Sequence, residues 1–341
     1  MNFIIENKKG LSLCIFIALF SFVIQWIENE IFQIKVLDML IIALLLGLLI
    51  KNTKFPMLGL FSTSDKAPKF VSKQLLEFAV ILLGFNISFS SLRDNGIPLI
   101  LLAISSVMIC MIVVFILCRK IFKLEKGVSI LLATGNAICG NSAVAAMASV
   151  IKSKSNHIAI AISFSAVIGL IQVILLPLIT SFGTITNFQY GIIAGLSVYA
   201  VPQVAAASFA VSTESGLIAT QVKLLRVLML GPVILAVSLM TGNKVSKEEA
   251  FFSKLTTYVP WFVMGFIIAG VIGSLNILPS DTLEKINIAT KFIFAVSMAG
   301  IGLTVNIKDL KGSALKVSVA VIFASLLMIT IALIGINIYN L

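Results

Sequence analysis

Apolar runs long enough to cross a bilayer recur along this chain at 11–27, 33–50, 74–92, 97–118, 157–180, 216–241, 255–275, 288–307 and 313–338. A helix needs about 20 such residues to traverse the hydrocarbon core. The expected fold is therefore all-α and polytopic, an integral membrane protein with nine spanning helices in one transmembrane domain over 1–341. Hydrophobic residues make up 59% and charged residues 11%, against about 45–50% and about 25% in a soluble domain, which excludes a large soluble enzyme. The first run follows Lys8 and Lys9 like a signal peptide. No small-residue cleavage site follows it, and Glu28 and Glu30 close it, so an uncleaved helix is expected. Cys14, Cys110, Cys118 and Cys139 lie inside apolar runs without zinc or disulfide spacing, and neither a metal nor a cofactor is implied.

Two further apolar stretches, 127–153 and 188–212, are interrupted at their centres by Gly, Asn or Pro. Broken backbone within a membrane is tolerated only where protein or a polar cavity satisfies it, and paired interruptions point to a transporter's substrate site. Each stretch is either a re-entrant hairpin or a full crossing, the latter giving eleven spanning helices. Small residues that merely permit close helix packing are the plainer explanation.

Charge placement separates these cases, because short cytoplasmic loops collect Lys and Arg. With the N-terminus inside, Lys51, Lys54, Lys66, Lys69 and Lys73 fall on the cytoplasmic side, as do Arg119, Lys120, Lys123 and Lys126. A hairpin at 127–153 keeps Lys152 and Lys154 inside as well, whereas a full crossing exports them. The same logic brings 188–212 in from outside and returns Lys244, Lys247 and Lys254 to the cytoplasm. Most of the net charge of +11 is then orientation in a bilayer rather than a nucleic-acid footprint. An internal match supports opposed hairpins: shifted by sixty positions, Gly135 meets Gly195 and Val144-Ala145-Ala146 meets Val204-Ala205-Ala206. A second match pairs Phe78-Ala79-Val80 with Phe294-Ala295-Val296. Both are the pattern of an inverted-repeat transporter.

The tip GNAICGNS, from Gly135 to Ser142, offers Asn136, Gly140, Asn141 and Ser142 as backbone freedom and polar groups ahead of a helix start. Unpaired N–H groups and a positive dipole end at such a start suit an oxyanion; a simple capping role is the alternative. The second tip contributes Tyr199 and Gln203, with Pro202 fitting a first helical turn. Lys223 and Arg226 share one face of the span that begins at Gly216, with Gln221 nearby. A charge at that depth costs at least about 2.5–3.5 kcal/mol and should face a partner. Glu77 and Asp309 lie near the ends of their own spans, so an anionic substrate is the expected partner; snorkelling to the interface is the alternative. The histidine, His157, is expected solvated or interfacial at a membrane edge, and a Ser142–His157 hydrolase dyad would need a fortuitous fold. No catalytic motif appears, so the chain is not expected to be an enzyme.

GNAICGNSAVAA at 135–146, GLSVYAVPQVAAA at 195–207 and VKLLRVLMLGP at 222–232 together resemble the YeiH-type UPF0324 family of bacterial inner-membrane proteins, over most of the chain. The resemblance implies a multi-pass protein of the bacterial cell membrane associated with export of sulfate or a related small anion. Where it leads to an expectation of His in the second broken segment, this chain has Tyr199. No histidine is available there to carry a coupling proton, which leaves H+ or Na+ open as coupling ion. The expected function is secondary transport of a small inorganic or organic oxyanion by alternating access. The alternative is a membrane scaffold or regulatory subunit; assembly into homo-oligomers stays open.

Overall fold

The computed structural model of the protein describes residues 8–30, 38–53, 66–86, 89–240, 261–275, 278–305 and 314–341. Lys54, Lys244, Lys247, Lys254 and Asp309 lie outside them. The described residues are helical nearly throughout: α1 Lys8–Glu30, α2 Met39–Asn52, α3 66–86, and α4 Phe89–Ile116 with a wider turn at Leu117–Ile121. Next come α5 Lys126–Ala137, α6 Asn141–Val150, and α7 Ser155–Leu175 continued by a tighter turn Leu176–Phe182. The remainder are α8 Asn187–Ser197, α9 Val201–Phe209, α10 Thr213–Leu228, α11 Leu230–Met240, α12 Trp261–Ser274, α13 Ser280–Thr304 and α14 Ala314–Tyr339.

Six helical stretches are long and apolar enough to cross a membrane: Lys8–Glu28, Gly96–Ile121, Ser155–Thr180, Thr213–Ser238, Asp281–Thr304 and Lys316–Tyr339. Of three further expected spans, 33–50 and 255–275 appear as the shorter described helices α2 and α12, and 74–92 as α3, which begins eight residues earlier and passes through a wider turn at Val71–Leu75. Large apolar side chains such as Ile97, Ile112, Ile268 and Leu326 point outward, as a lipid-facing surface requires. Local chemistry sets the helix starts. Asp38 caps α2 by accepting from the Leu40 N–H at 3.0 Å, and Thr186 with Gln189 forms a reciprocal capping box on α8.

Both interrupted segments are re-entrant hairpins, which removes the eleven-crossing alternative. The arms of the first, α5 and α6, begin and end together: the Glu125 carboxylate is 3.8 Å from the Lys154 ammonium and 3.2 Å from His157 Nε2. The second, α8 and α9, closes likewise, with the Tyr190 hydroxyl donating to the Ala207 carbonyl at 3.0 Å and Ser215 donating to the Asn187 carbonyl at 2.9 Å. Between them runs α7, whose 21 residues rise about 32 Å, the thickness of a hydrocarbon core. The hairpins therefore open at opposite ends of the fold. Arg119, Lys120, Lys123, Lys126, Lys152 and Lys154 are exposed at the first hairpin's end.

The sixty-residue match holds at the level of elements. The breaks fall at 138–140 and 198–200, and each hairpin is followed by a long helix, α7 or α10, running the opposite way to its counterpart. The second match, between α3 and α13, also relates antiparallel helices: Asn86 at the end of α3 bonds Asn287 near the start of α13. Its residues occupy different surroundings, however, since Phe78 is exposed and Phe294 buried. Beside α13 lies α2, in parallel. The two approach so closely that a Cβ on Gly47 would fall 2.5 Å from the Ala299 carbonyl, and Asn52 donates to the Val305 carbonyl at 3.0 Å.

Candidate functional site

The two hairpin tips meet. Gly140 has φ +76°, a left-handed conformation that glycine adopts without Cβ strain, and the Tyr199 ring lies where its side chain would be. The Tyr199 hydroxyl lies over Gly135, so the first tip's two glycines form the seat for the second tip's tyrosine.

A helix end leaves its last carbonyls without intrahelical partners, and inside a membrane each must find a donor. The first hairpin meets part of this need itself: Ile138 N–H donates to the Thr134 carbonyl at 3.1 Å and Gly140 N–H to the Gly135 carbonyl at 3.0 Å. Arg226 supplies the rest, Nε donating to the Ala137 carbonyl at 2.9 Å and Nη2 to that of Asn136 at 2.6 Å. At the second tip all four terminal carbonyls of α8 take side-chain donors. Arg226 Nη1 serves Gly195 at 3.1 Å and also Leu196. Gln172 Nε2 serves Ser197 at 3.0 Å, and Lys223 Nζ serves Val198 at 2.8 Å. Lys223 and Arg226 are both 0% exposed, which excludes snorkelling to an interface.

This corrects the expectation that an anion is the missing hydrogen-bond partner of both cations. Every nitrogen of the Arg226 guanidinium faces a backbone carbonyl, so Arg226 positions the tips and does not present an open donor face. Its charge persists, because carbonyls carry none. The α5 and α8 C-termini each offset about half a unit of charge and the α6 and α9 N-termini return as much, so the four broken helix ends cancel one another.

The N-terminal halves of the two breaks also differ. At the start of α9, Gln203 Oε1 accepts from the Ala200 N–H at 3.2 Å, and Pro202 in the first turn has no N–H to satisfy. Helix α6 starts at Gly140, which has no side chain to cap it; the Cys139 thiol lies against the Ala143 N–H and the Ser142 hydroxyl, and Asn141 and Ser142 are exposed beside that start. Of the residues singled out in the sequence, Gly140, Asn141, Ser142, Tyr199, Lys223 and Arg226 gather at the crossing. Three are turned to other duties. The Asn136 amide donates to the Leu132 carbonyl at 2.7 Å within its own helix, Gln203 caps α9, and Gln221 lies two positions from Lys223 and thus on another face of α10. His157 is buried against Glu125 rather than solvated. It lies beyond the far end of α6 from Ser142, about 15 Å along the helix, so the two do not form a dyad.

Two participants escaped the sequence reading. Gln172 is one, because its carbonyl partner at Ser197 has no sequence signature. Asp38 was hidden inside the apolar run 33–50; it is buried, and accepts from Gln25 at 3.4 Å with Lys291 3.7 Å away. An acid within an apolar run was the available signal. It pairs with Lys291 and leaves Lys223 and Arg226 without a carboxylate among the described residues.

A family profile described as "Conserved hypothetical protein 698" matches residues 9–321. A UPF0324 membrane protein of Bradyrhizobium diazoefficiens is 38% identical over 330 residues, covering 95% of this chain and 91% of that one. The UPF0324 inner membrane protein YeiH of Escherichia coli K12 is 30% identical over 279 residues, covering 81% and 79%. No solved structure matches the chain.

Proposed function

We propose, from the premise that this chain belongs to the UPF0324 family of membrane proteins, that it is a secondary transporter of a small oxyanion, sulfate or an organic sulfonate-like anion. The observation that carries the proposal is the crossing of two half-helix pairs at which Lys223 and Arg226 are buried with no carboxylate paired to them among the described residues, beside the exposed Asn141 and Ser142 at the start of α6. An anion there meets the N–H groups of Asn141 and Ser142 at a positive dipole end, together with the Asn141 and Ser142 side chains. Lys223 and Arg226 supply the field in a medium that strengthens it. Hairpins opening toward opposite faces, with their tips in contact, are the arrangement that alternating access around a fixed midplane site needs. The lysine- and arginine-rich end at the first hairpin is assigned to the cytoplasm, placing the N-terminus there as well.

Arg226 holds both tips, so its removal tests folding before it tests transport. The informative variant is Lys223→Gln, which keeps a donor for the Val198 carbonyl and removes the charge. In proteoliposomes it is expected to lose at least tenfold of sulfate or methanesulfonate flux while inserting and melting near the wild type. Unchanged flux for both anions would sink the proposal and favour a scaffold role.

A further inference from the structure

A cavity of about 190 Å³ opens where the outer part of the second hairpin faces α2, α3 and α13. None of the tip residues lines it. Its apolar side is built on Phe209 and Phe294, whose ring centroids are 6.0 Å apart at 39°, with Leu217 beside them. Its polar side carries Asn287, Thr213 and Lys291. Asn287 is oriented by the Asn86 amide, which donates to its Oδ1 at 2.7 Å.

The Lys291 ammonium is the cation of this lining. Its side chain is 52% exposed, whereas that of its neighbour Asp38 is 3% exposed. The 3.7 Å approach is loose, and Asp38 already accepts from the Leu40 N–H and from Gln25. An ammonium has three donors in all, and a second acceptor entering the cavity can share them. An aromatic wall together with one cation and neutral polar groups recognises a ligand with an apolar body and an anionic end. The volume lies below the 300–1,000 Å³ or so of drug-sized pockets, which sets a compact ligand. Bare sulfate would leave the phenyl rings unused and lose hydration beside a single lysine.

We infer that this cavity binds a small organic oxyanion, a sulfonate or carboxylate on a compact apolar group, with Lys291 at its charged end and Phe209 and Phe294 against its body. The site deepens the transport proposal by naming the cargo class. It rests on that proposal for the ligand's fate, but not for its binding. A lipid headgroup presents the same anionic chemistry, and the test separates the two.

The full chain, purified in detergent, is to be melted with benzenesulfonate, with sulfate at matched ionic strength, and with added phosphatidylglycerol. A saturable rise in Tm is expected with benzenesulfonate, half-maximal at a concentration at least tenfold higher in Lys291→Gln and restored in Lys291→Arg. Leu217→Trp, which fills the cavity and keeps the lysine, is expected to abolish the rise, and serves if Lys291→Gln does not fold. Equal response of the wild type and Lys291→Gln overturns the inference. So does an equal effect of sulfate, or a Lys291-dependent response to phosphatidylglycerol alone. Flux indifferent to Lys223→Gln would defeat the transport proposal and leave benzenesulfonate binding standing.

Discussion

Both hairpins break at positions sixty residues apart and are followed by helices of opposite direction, yet their tips are closed by different chemistry. The first ends in a glycine turn whose own N–H groups return to Thr134 and Gly135. The second has no such turn, and its last four carbonyls depend on Arg226, Gln172 and Lys223. At the next helix start the residues differ too, for Gln203 and Pro202 stand at the head of α9 while Gly140 and the Cys139 thiol stand at the head of α6. Arg226 serves both tips, and the second relies in addition on Gln172 and Lys223. The asymmetry is traceable to α10: shifted back by sixty, Lys223 and Arg226 correspond to Ser163 and Ala166 in α7. Only one copy carries the cations.

The sharpest way to break this comparison is Arg226→Gln. It withdraws donors from Asn136, Ala137, Gly195 and Leu196 together, and a buried unsatisfied group costs about 1–3 kcal/mol. Loss of folded protein is expected, seen as aggregation on size exclusion in detergent; a monodisperse variant with native Tm would show that the tips close without it. Next in size is Gly140→Ala, which imposes a positive φ on a Cβ-bearing residue at about 1–2 kcal/mol and sets a methyl against the Tyr199 ring. A Tm drop of several degrees is expected, with the steric part relieved by Tyr199→Leu in a double-mutant cycle. Independence of the two substitutions would mean that the tips do not rest on each other. The smallest effect belongs to the open end of the first hairpin. Glu125 and Lys154 have side chains 67% and 76% exposed, and pairs of that kind contribute about 0–1 kcal/mol. Lys154→Cys should leave Tm unchanged and accept a membrane-impermeant thiol reagent from the same face as Lys126→Cys; labelling from opposite faces would replace the hairpin by a crossing.

The breaks were legible because Gly, Asn and Pro interrupt runs that otherwise favour continuous helix, and the hairpin form because Lys152 and Lys154 had to share a side with Lys126. Lys223 and Arg226 stood out for the same reason, as charges within apolar sequence. Their partners did not, since every residue carries a carbonyl and no residue type marks those at a broken helix end. The roles of Gln172 and Gln203 were hidden likewise: both serve the backbone, one across 25 residues of sequence and the other across three. Glu125 was passed over because its partner His157 looked like an interfacial residue, and only folding places the two at one hairpin mouth.

One consequence follows from the way a single guanidinium reaches both tips. Parting them would break the bonds to Asn136, Ala137, Gly195 and Leu196 in one event, with nothing polar in lipid to take their place. The paired tips and α10 are therefore tied into one unit. Its contact with α13 at Phe209 and Phe294 is apolar, and contacts between rings can be exchanged for others without stranding a hydrogen bond.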